Sequence, residues 1–99
     1  MIEHVVLFAV TPGTESEKVD AMLAAVRELP SRIPGIVTAS IGQNFNNRGK
    51  NYTHGLVVRL ESSEALDIYL EHPAHIEVVE DKIKPIVDDV LALDWVVTS

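Results

Sequence analysis

The chain begins with a run of hydrophobic residues from Val5 to Val10 in which nearly every position is apolar. Uniform hydrophobicity over so short a run is typical of a β-strand buried on both faces. The turn sequence Thr11-Pro12-Gly13 ends this strand, and helical spacing follows from Thr14. Pro30 and Pro34-Gly35 are expected to stop this helix. Its apolar stripe consists of Val19, Met22, Leu23, Val26 and Leu29.

The middle of the chain has the pattern of two strands joined by a polar loop. One strand is predicted over Ile36 to Gly42, after the turn at Pro34-Gly35, and another from Tyr52 or Thr53 to Leu60. Residues 43–51 are polar and contain glycine, so we predict a mobile hairpin loop.

The C-terminal part predicts two helical segments and a last strand. The first of these two segments is capped near Ser62 or Ser63 and is interrupted at His72-Pro73. Because proline suits the first turn of a helix, a second segment is predicted over Ala74 to Lys84, before Pro85. A strand over Val90 to Val97 follows. The order β-α-β-β-α-β predicts an α+β, ferredoxin-like fold with a four-stranded antiparallel sheet.

The first strand is apolar on both of its faces, although helices in such a fold cover only one face of the sheet. A second copy of the same sheet is the economical cover in a chain this short. We therefore predict a homodimer whose sheets pack face to face or form a barrel. With 99 residues and no linker or repeat, residues 1–99 are expected to be a single domain.

Composition narrows the function classes. Fifteen acidic and eight basic residues give a formal net charge of -7, so nucleic acid and membrane surfaces are not expected partners. The absence of cysteine removes disulfides and thiolate chemistry and fits a reducing, cytoplasmic location. The first apolar run is too short to span a bilayer. No nucleophilic serine motif, phosphate loop or dinucleotide fingerprint is present.

Three polar residues in apolar surroundings are candidates for chemistry. A neutral imidazole such as His75, with an ordinary pKa of about 6.5, suits proton abstraction, although His75 could instead cap a helix or pack. Tyr69 follows Leu66 at helical spacing and is either a core aromatic or a phenol that binds a substrate carbonyl. Asp94 interrupts an apolar strand. If buried it needs a partner such as His4 or His75, and if not it reaches solvent.

Two further histidines are weaker candidates. His54 lies on the strand face of Leu56 and Val58. Because that strand should run opposite to the first, His54 could lie far from His4, and a wall or gate role suits it better than chemistry. His72 is most simply a helix cap or a solvent-facing residue. His72 and His75 form a His-x-x-His pair, which is a weak metal signal without further ligands, so no metal site is predicted.

Several pieces of sequence occur together in one order over nearly the whole chain. They are His4 before the first strand, Pro34-Gly35-Ile36, Tyr52-Thr53-His54-Gly55, the run from Tyr69 to His75, and Leu93-Asp94-Trp95. Together they resemble the stress-responsive dimeric α/β-barrel family. The run Tyr-x-x-His-Pro-x-His is the most specific part of this resemblance.

Within that family the residues are similar to plant polyketide cyclases, which close a linear polyketide by an aldol reaction without a metal or organic cofactor. The resemblance implies that His75 is the general base, Tyr69 its catalytic partner and Asp94 the residue that orients His75. It implies a substrate cavity lined by His4, His54, Phe8, Leu56, Val58, Leu23 and Val26. The first helix departs from the plant pattern, because it offers aliphatic rather than aromatic side chains to a substrate tail, so the substrate stays open.

Three functions are compatible with this pattern. The first is a cofactor-independent enzyme or binder of a small hydrophobic or polyketide-like ligand, using proton transfer at a carbon acid. The second is a non-enzymatic, stress-protective dimer whose pocket is filled by side chains. The third is a cofactor-free monooxygenase-like activity, since other dimeric α/β-barrel families oxidise aromatic polyketides on this architecture.

Overall fold

The structure is a computed structural model and describes residues 1–98. Its strands pair antiparallel in one sheet with the order β2-β3-β1-β4. This arrangement is the ferredoxin-like fold, and the predicted fold class is confirmed. The strands are β1 (Ile2–Val10), β2 (Ile36–Gln43), β3 (His54–Leu60) and β4 (Val87–Val96), and the helices are α1 (Ser16–Arg32), α2 (Ser63–Glu71) and α3 (Pro73–Val78).

The first helix continues through Pro30 and ends at Arg32, just before Pro34-Gly35, so Pro30 does not stop it and the second predicted stop is the correct one. Proline disrupts a helix by removing one backbone donor and by crowding the preceding turn. Pro30 lies near the end of α1, where few helical bonds remain to be made. The Ile33 N–H still donates to the Leu29 carbonyl at 2.9 Å, which closes the last turn.

The segment after α3 also differs from its prediction. Instead of one regular helix to Lys84, the chain forms a π-helical turn over Val79–Ile83 and a 3-10 turn over Lys84–Ile86. Pro85 has no N–H to donate, and it lies inside the tight 3-10 turn. As a result β4 begins at Val87, three positions earlier than predicted.

The hydrophobic core lies between the helices and one face of the sheet. Alternation along β1 and β3 sends every second side chain to this face. The Ser62 hydroxyl caps α2 by accepting from the Ala65 N–H at 3.1 Å, as the sequence predicts. The buried residues include Ile2, Val6, Phe8, Met22, Val26, Leu29, Leu56, Val58, Leu60 and Tyr69.

The opposite face of the sheet carries no helix. Its apolar side chains on β3 and β4 are 41 to 56% exposed, which is unusual for so many large hydrophobic residues together. The predicted second apolar face is therefore present. We call it the open face, and it consists of Val5, Leu7, Val57, Leu91, Leu93 and Trp95.

None of the helices in residues 1–98 combines the length and the apolar character that crossing a membrane requires.

Candidate functional site

An apolar cavity of about 320 Å³ lies between the helices and the covered face of the sheet. β4 forms its more exposed side, since Val90 is 47% exposed while the walls from β1 and β3 are buried. Four side chains in its wall carry polar groups: His4, Tyr69, His75 and Lys84. The rest of the wall is apolar and includes Val6, Phe8, Val26, Leu29, Leu56, Leu70, Val78, Val79, Ile83, Val90 and Ala92.

His4 and Asp94 form a hydrogen-bonded pair at one end of the cavity. They lie opposite each other on β1 and β4, and His4 Nδ1 bonds to the Asp94 carboxylate. His4 is only 5% exposed, whereas the Asp94 side chain is 40% exposed. A carboxylate can only accept, so Nδ1 donates its proton to Asp94 and Nε2 is the ring nitrogen that Asp94 does not engage.

Tyr69 contacts both histidines of the cavity. Its ring centroid is 5.6 Å from that of His4, in an edge-on arrangement, and 4.6 Å from that of His75. Tyr69 is 1% exposed, and this burial raises the pKa of its hydroxyl to about 12. The phenol therefore stays protonated at physiological pH and is a hydrogen-bond donor rather than a phenolate.

His75 lies in α3 and is held by a bond to the backbone. Its Nδ1 donates to the Leu70 carbonyl at 3.1 Å, because a carbonyl oxygen can only accept. Burial lowers the pKa of His75, the bond to Leu70 opposes that shift, and the nearby His4 lowers the pKa further. The neutral form is therefore favoured at neutral pH, with Nε2 free to accept a proton.

His72 sets the break between α2 and α3 that places His75. Its Nδ1 accepts from the Ala74 N–H at 3.0 Å, so His72 caps the second helix, with Pro73 in the first turn. The cap lets the chain change direction between Tyr69 and His75 while both side chains remain on the cavity.

The structure brings together many of the residues predicted for the site. His4, Phe8, Val26, Leu56, Tyr69 and His75 all line the cavity. Leu23 and Val58 do not: Val58 is 2% exposed within the core and Leu23 packs at its margin.

His54 also lies outside the cavity, far from His4, as the predicted strand direction allows, so the cavity role that the resemblance implied for it is wrong. Its Nδ1 is 2.8 Å from the Thr53 hydroxyl, and its ring borders a separate hollow beside the loop between β2 and β3. The reason is strand direction: β3 runs antiparallel to β1, so His54 pairs with Phe8, at the far end of β1 from His4.

The role implied for Asp94 also requires correction. Asp94 binds His4 and does not orient His75, which is held by Leu70 instead. The register of β1 and β4 decides this, because it places Asp94 directly opposite His4.

The sequence did not indicate the part of the wall that comes from the irregular segment before β4. Val79, Ile83 and Lys84 line the cavity there, and the Lys84 ammonium donates to Glu80 at 2.7 Å. Pro85 was the available signal, since it marks where regular helix ends. Over residues 1–98, no group of three or more His, Asp or Glu side chains is arranged to hold a metal ion.

Comparison with known proteins agrees with this geometry. Residues 2–97 match the family described as the Stress responsive A/B Barrel Domain. The chain belongs to this family. The family resemblance inferred from the sequence is thereby confirmed.

The relatives of this A/B barrel chain include longer plant proteins. One of them, a stress-response A/B barrel domain-containing protein of Arabidopsis thaliana, is 34% identical over 97% of the chain. The chain spans only 36% of the length of that protein and 47% of a second relative from the same plant.

Solved structures show the same fold over whole chains. A crystal structure of an Arabidopsis thaliana protein has a TM-score of 0.88 at 28% identity and covers 100% of this chain and 97% of its own. A dimeric ferredoxin-like protein of unknown function from Thermobifida fusca has a TM-score of 0.85 at 24% identity, over 97% of this chain and 90% of its own.

Proposed function

We propose that this A/B barrel chain is a homodimeric, cofactor-independent enzyme that transfers protons at a carbon acid of the poly-β-ketone class. The acidic carbon lies between two carbonyl groups, and loss of its proton starts an aldol ring closure. In this proposal His75 is the general base and Tyr69 hydrogen-bonds the carbonyl oxygen that becomes an enolate.

One observation carries the proposal: an apolar cavity of about 320 Å³ has Tyr69 and His75 side by side in its wall. Cavities of this size, apolar with a few convergent polar groups, are typical of small-molecule sites. A core filled by side chains, as a purely structural dimer requires, would not contain this space.

The protonation states fit the proposed step. The half-buried, neutral His75 has Nε2 as a free acceptor, so it can take a proton from carbon near neutral pH. The raised pKa of Tyr69 keeps its hydroxyl proton in place, so the phenol stabilises an enolate by donating a hydrogen bond. The aliphatic wall, including Val26 and Leu29, would hold an alkyl tail.

Homodimer formation rests on the open face. Covering its exposed Leu91, Leu93 and Trp95 removes a large apolar area from water, and a second copy offers the same surface in return. Related ferredoxin-like structures are themselves described as dimeric. We propose that two open faces pack against each other about a two-fold axis.

The decisive experiment measures ring closure of 3,5,7-trioxoalkanoyl thioesters that differ in alkyl tail length, by chromatography of the products. Removing the base in His75→Ala should lower kcat by at least about 100-fold, since positioned bases typically contribute 10²–10⁴-fold. Removing one hydrogen-bond donor in Tyr69→Phe should lower kcat by about 100-fold with a small change in KM.

His72→Asn is the matched control. Asparagine also caps helices, so this variant removes a histidine three positions from His75 and retains the start of α3. It should keep wild-type turnover. Full turnover in His75→Ala and Tyr69→Phe, with circular dichroism and sedimentation unchanged, would refute the roles of both residues. Absence of turnover by the wild type with every thioester would refute the activity itself.

A further inference from the structure

We infer that His4 is a second catalytic residue, which protonates the oxygen of the carbonyl that is attacked, and that Asp94 is its positioning residue. This inference rests on the proposed function, because it assigns the second proton transfer of the same ring closure. His75 then takes a proton from carbon on one side of Tyr69, while His4 gives one to oxygen on the other.

The placement of His4 supports this role. His4 lines the cavity, is 5% exposed, and meets Tyr69 edge-on at 5.6 Å between ring centroids. Because Nδ1 is bound to Asp94, the nitrogen available to a ligand is Nε2. A buried imidazole with one nitrogen held by a carboxylate is the arrangement by which proteins orient a proton-transfer histidine.

The charged and titratable groups around His4 distinguish its role as an acid from the role of His75 as a base. Asp94 on β4 is its direct partner, Tyr69 on α2 and His75 on α3 lie across the cavity, and Lys84 lines the same wall with Glu80 as its partner. On β3, the cross-strand neighbour is the apolar Val58.

His4 is therefore bound through Nδ1 to a carboxylate, whereas His75 is bound through Nδ1 to a neutral backbone carbonyl. Of the two histidines, His4 is accordingly the one suited to hold a proton for donation.

The step balances in protons and electrons. His75 Nε2 takes a proton from the carbon between two carbonyls, and the resulting carbanion forms a bond to the second carbonyl carbon. The π electrons of that carbonyl move to its oxygen, which takes the proton from Nε2 of the His4 imidazolium. The substrate has lost one proton from carbon and gained one on oxygen, and exchange with water restores both histidines.

The test compares Asp94→Asn, Asp94→Glu and His4→Gln by the pH profile of kcat/KM with a 3,5,7-trioxoalkanoyl thioester. The wild type should give a bell-shaped profile, with an acid limb from His75 and an alkaline limb from the His4 imidazolium. Asp94→Asn and His4→Gln should each lose about 100-fold in kcat and lose the alkaline limb, while the acid limb remains. Asp94→Glu should restore part of kcat and part of the alkaline limb.

Asp89→Asn is the matched control. Asp89 lies on β4 like Asp94, but its carboxylate accepts from the Tyr52 hydroxyl and does not line the cavity. It should leave the profile unchanged. If Asp94→Asn and His4→Gln lower the rate while both limbs persist, His4 is only structural and the inference is overturned.

A second measurement does not depend on turnover. Nitrogen NMR of the histidine rings should show that His4 titrates differently in the wild type and in Asp94→Asn, since the amide cannot compensate a charge on the ring. Identical titration of His4 in both proteins would overturn the inference even if the wild type closes rings. A wild type without turnover that shows the expected difference would refute the proposed function and leave the His4–Asp94 pair supported.

Discussion

The three histidines nearest the cavity differ in chemistry because their ring nitrogens bind different groups. His4 and His75 each donate through Nδ1, to a carboxylate and to a carbonyl, whereas His72 accepts a backbone N–H through the same atom. All three residues are histidines, so the residue type alone does not distinguish their roles. The bond made by one nitrogen determines what the other nitrogen can do.

Burial of neutral histidines gives the stability of this protein a defined pH dependence. Desolvation lowers the pKa of both His54 and His75 below the ordinary value of about 6.5 that applies in the unfolded chain. Below that value the unfolded chain binds more protons than the folded protein. The stabilisation is thus complete above about pH 6.5 and is lost as the pH falls further.

We therefore expect the free energy of unfolding, measured by urea denaturation at fixed protein concentration, to decrease between pH 7 and pH 5.5. The double variant His54→Gln and His75→Gln should show a smaller decrease over the same interval, because the two protonation events are removed. A wild-type stability that is constant or increases towards pH 5.5 would contradict this account.

The turn that joins α1 to β2 depends on a glycine. Gly35 has a φ of +89°, and a Cβ added there would lie 2.8 Å from the Cβ of Ala65 in α2. The position therefore needs glycine both for its left-handed backbone and for the close approach of a helix. Gly13 has a similar φ of +85° but no atom within 4 Å of an added Cβ.

These two glycines form a matched pair of test sites. Gly13→Ala carries only the backbone cost and should lower the free energy of unfolding by about 1 kcal/mol. Gly35→Ala adds overlap with α2 and should lower it by about 3 kcal/mol. Chemical denaturation of both variants measures the difference. Equal losses in the free energy of unfolding would show that α2 shifts to accommodate the added methyl group without loss of stability.

The elements themselves were largely predictable. The Ser62 cap and the break at His72-Pro73 were read from short local patterns, and both lie where predicted. Boundaries failed at two other prolines. Pro30 is tolerated inside the last turn of α1, and Pro85 lies within a 3-10 turn, so neither proline marks by itself where its helical segment ends.

For the molecule as a whole, the proposed dimer depends on the open face. The chain has a single tryptophan, and Trp95 lies on this face with 48% of its surface exposed. Burial of an indole against a second copy would shift its fluorescence to shorter wavelength, so one residue reports on association.

Leu93→Asp should convert the dimer to a monomer in sedimentation experiments at micromolar concentration, because each charge would be buried without a partner. The Trp95 emission should move to longer wavelength in the same variant. Ile68→Asp is the control: Ile68 is 51% exposed on α2, on the helical side of the molecule, and its charge stays in water. A Leu93→Asp variant that sediments like the wild type would rule out assembly through the open face.

The sequence alone determined the order of elements, the two apolar faces of the sheet, and the presence of Tyr69 and His75 near one another. These features depend on periodicity and on residues a few positions apart, which local backbone geometry specifies. Only the tertiary structure decided that Asp94 binds His4 and not His75, and that Val58 and Leu23 lie off the cavity. The His4–Asp94 bond joins residues 90 positions apart. Such contacts follow from strand register and packing direction, which no local pattern encodes.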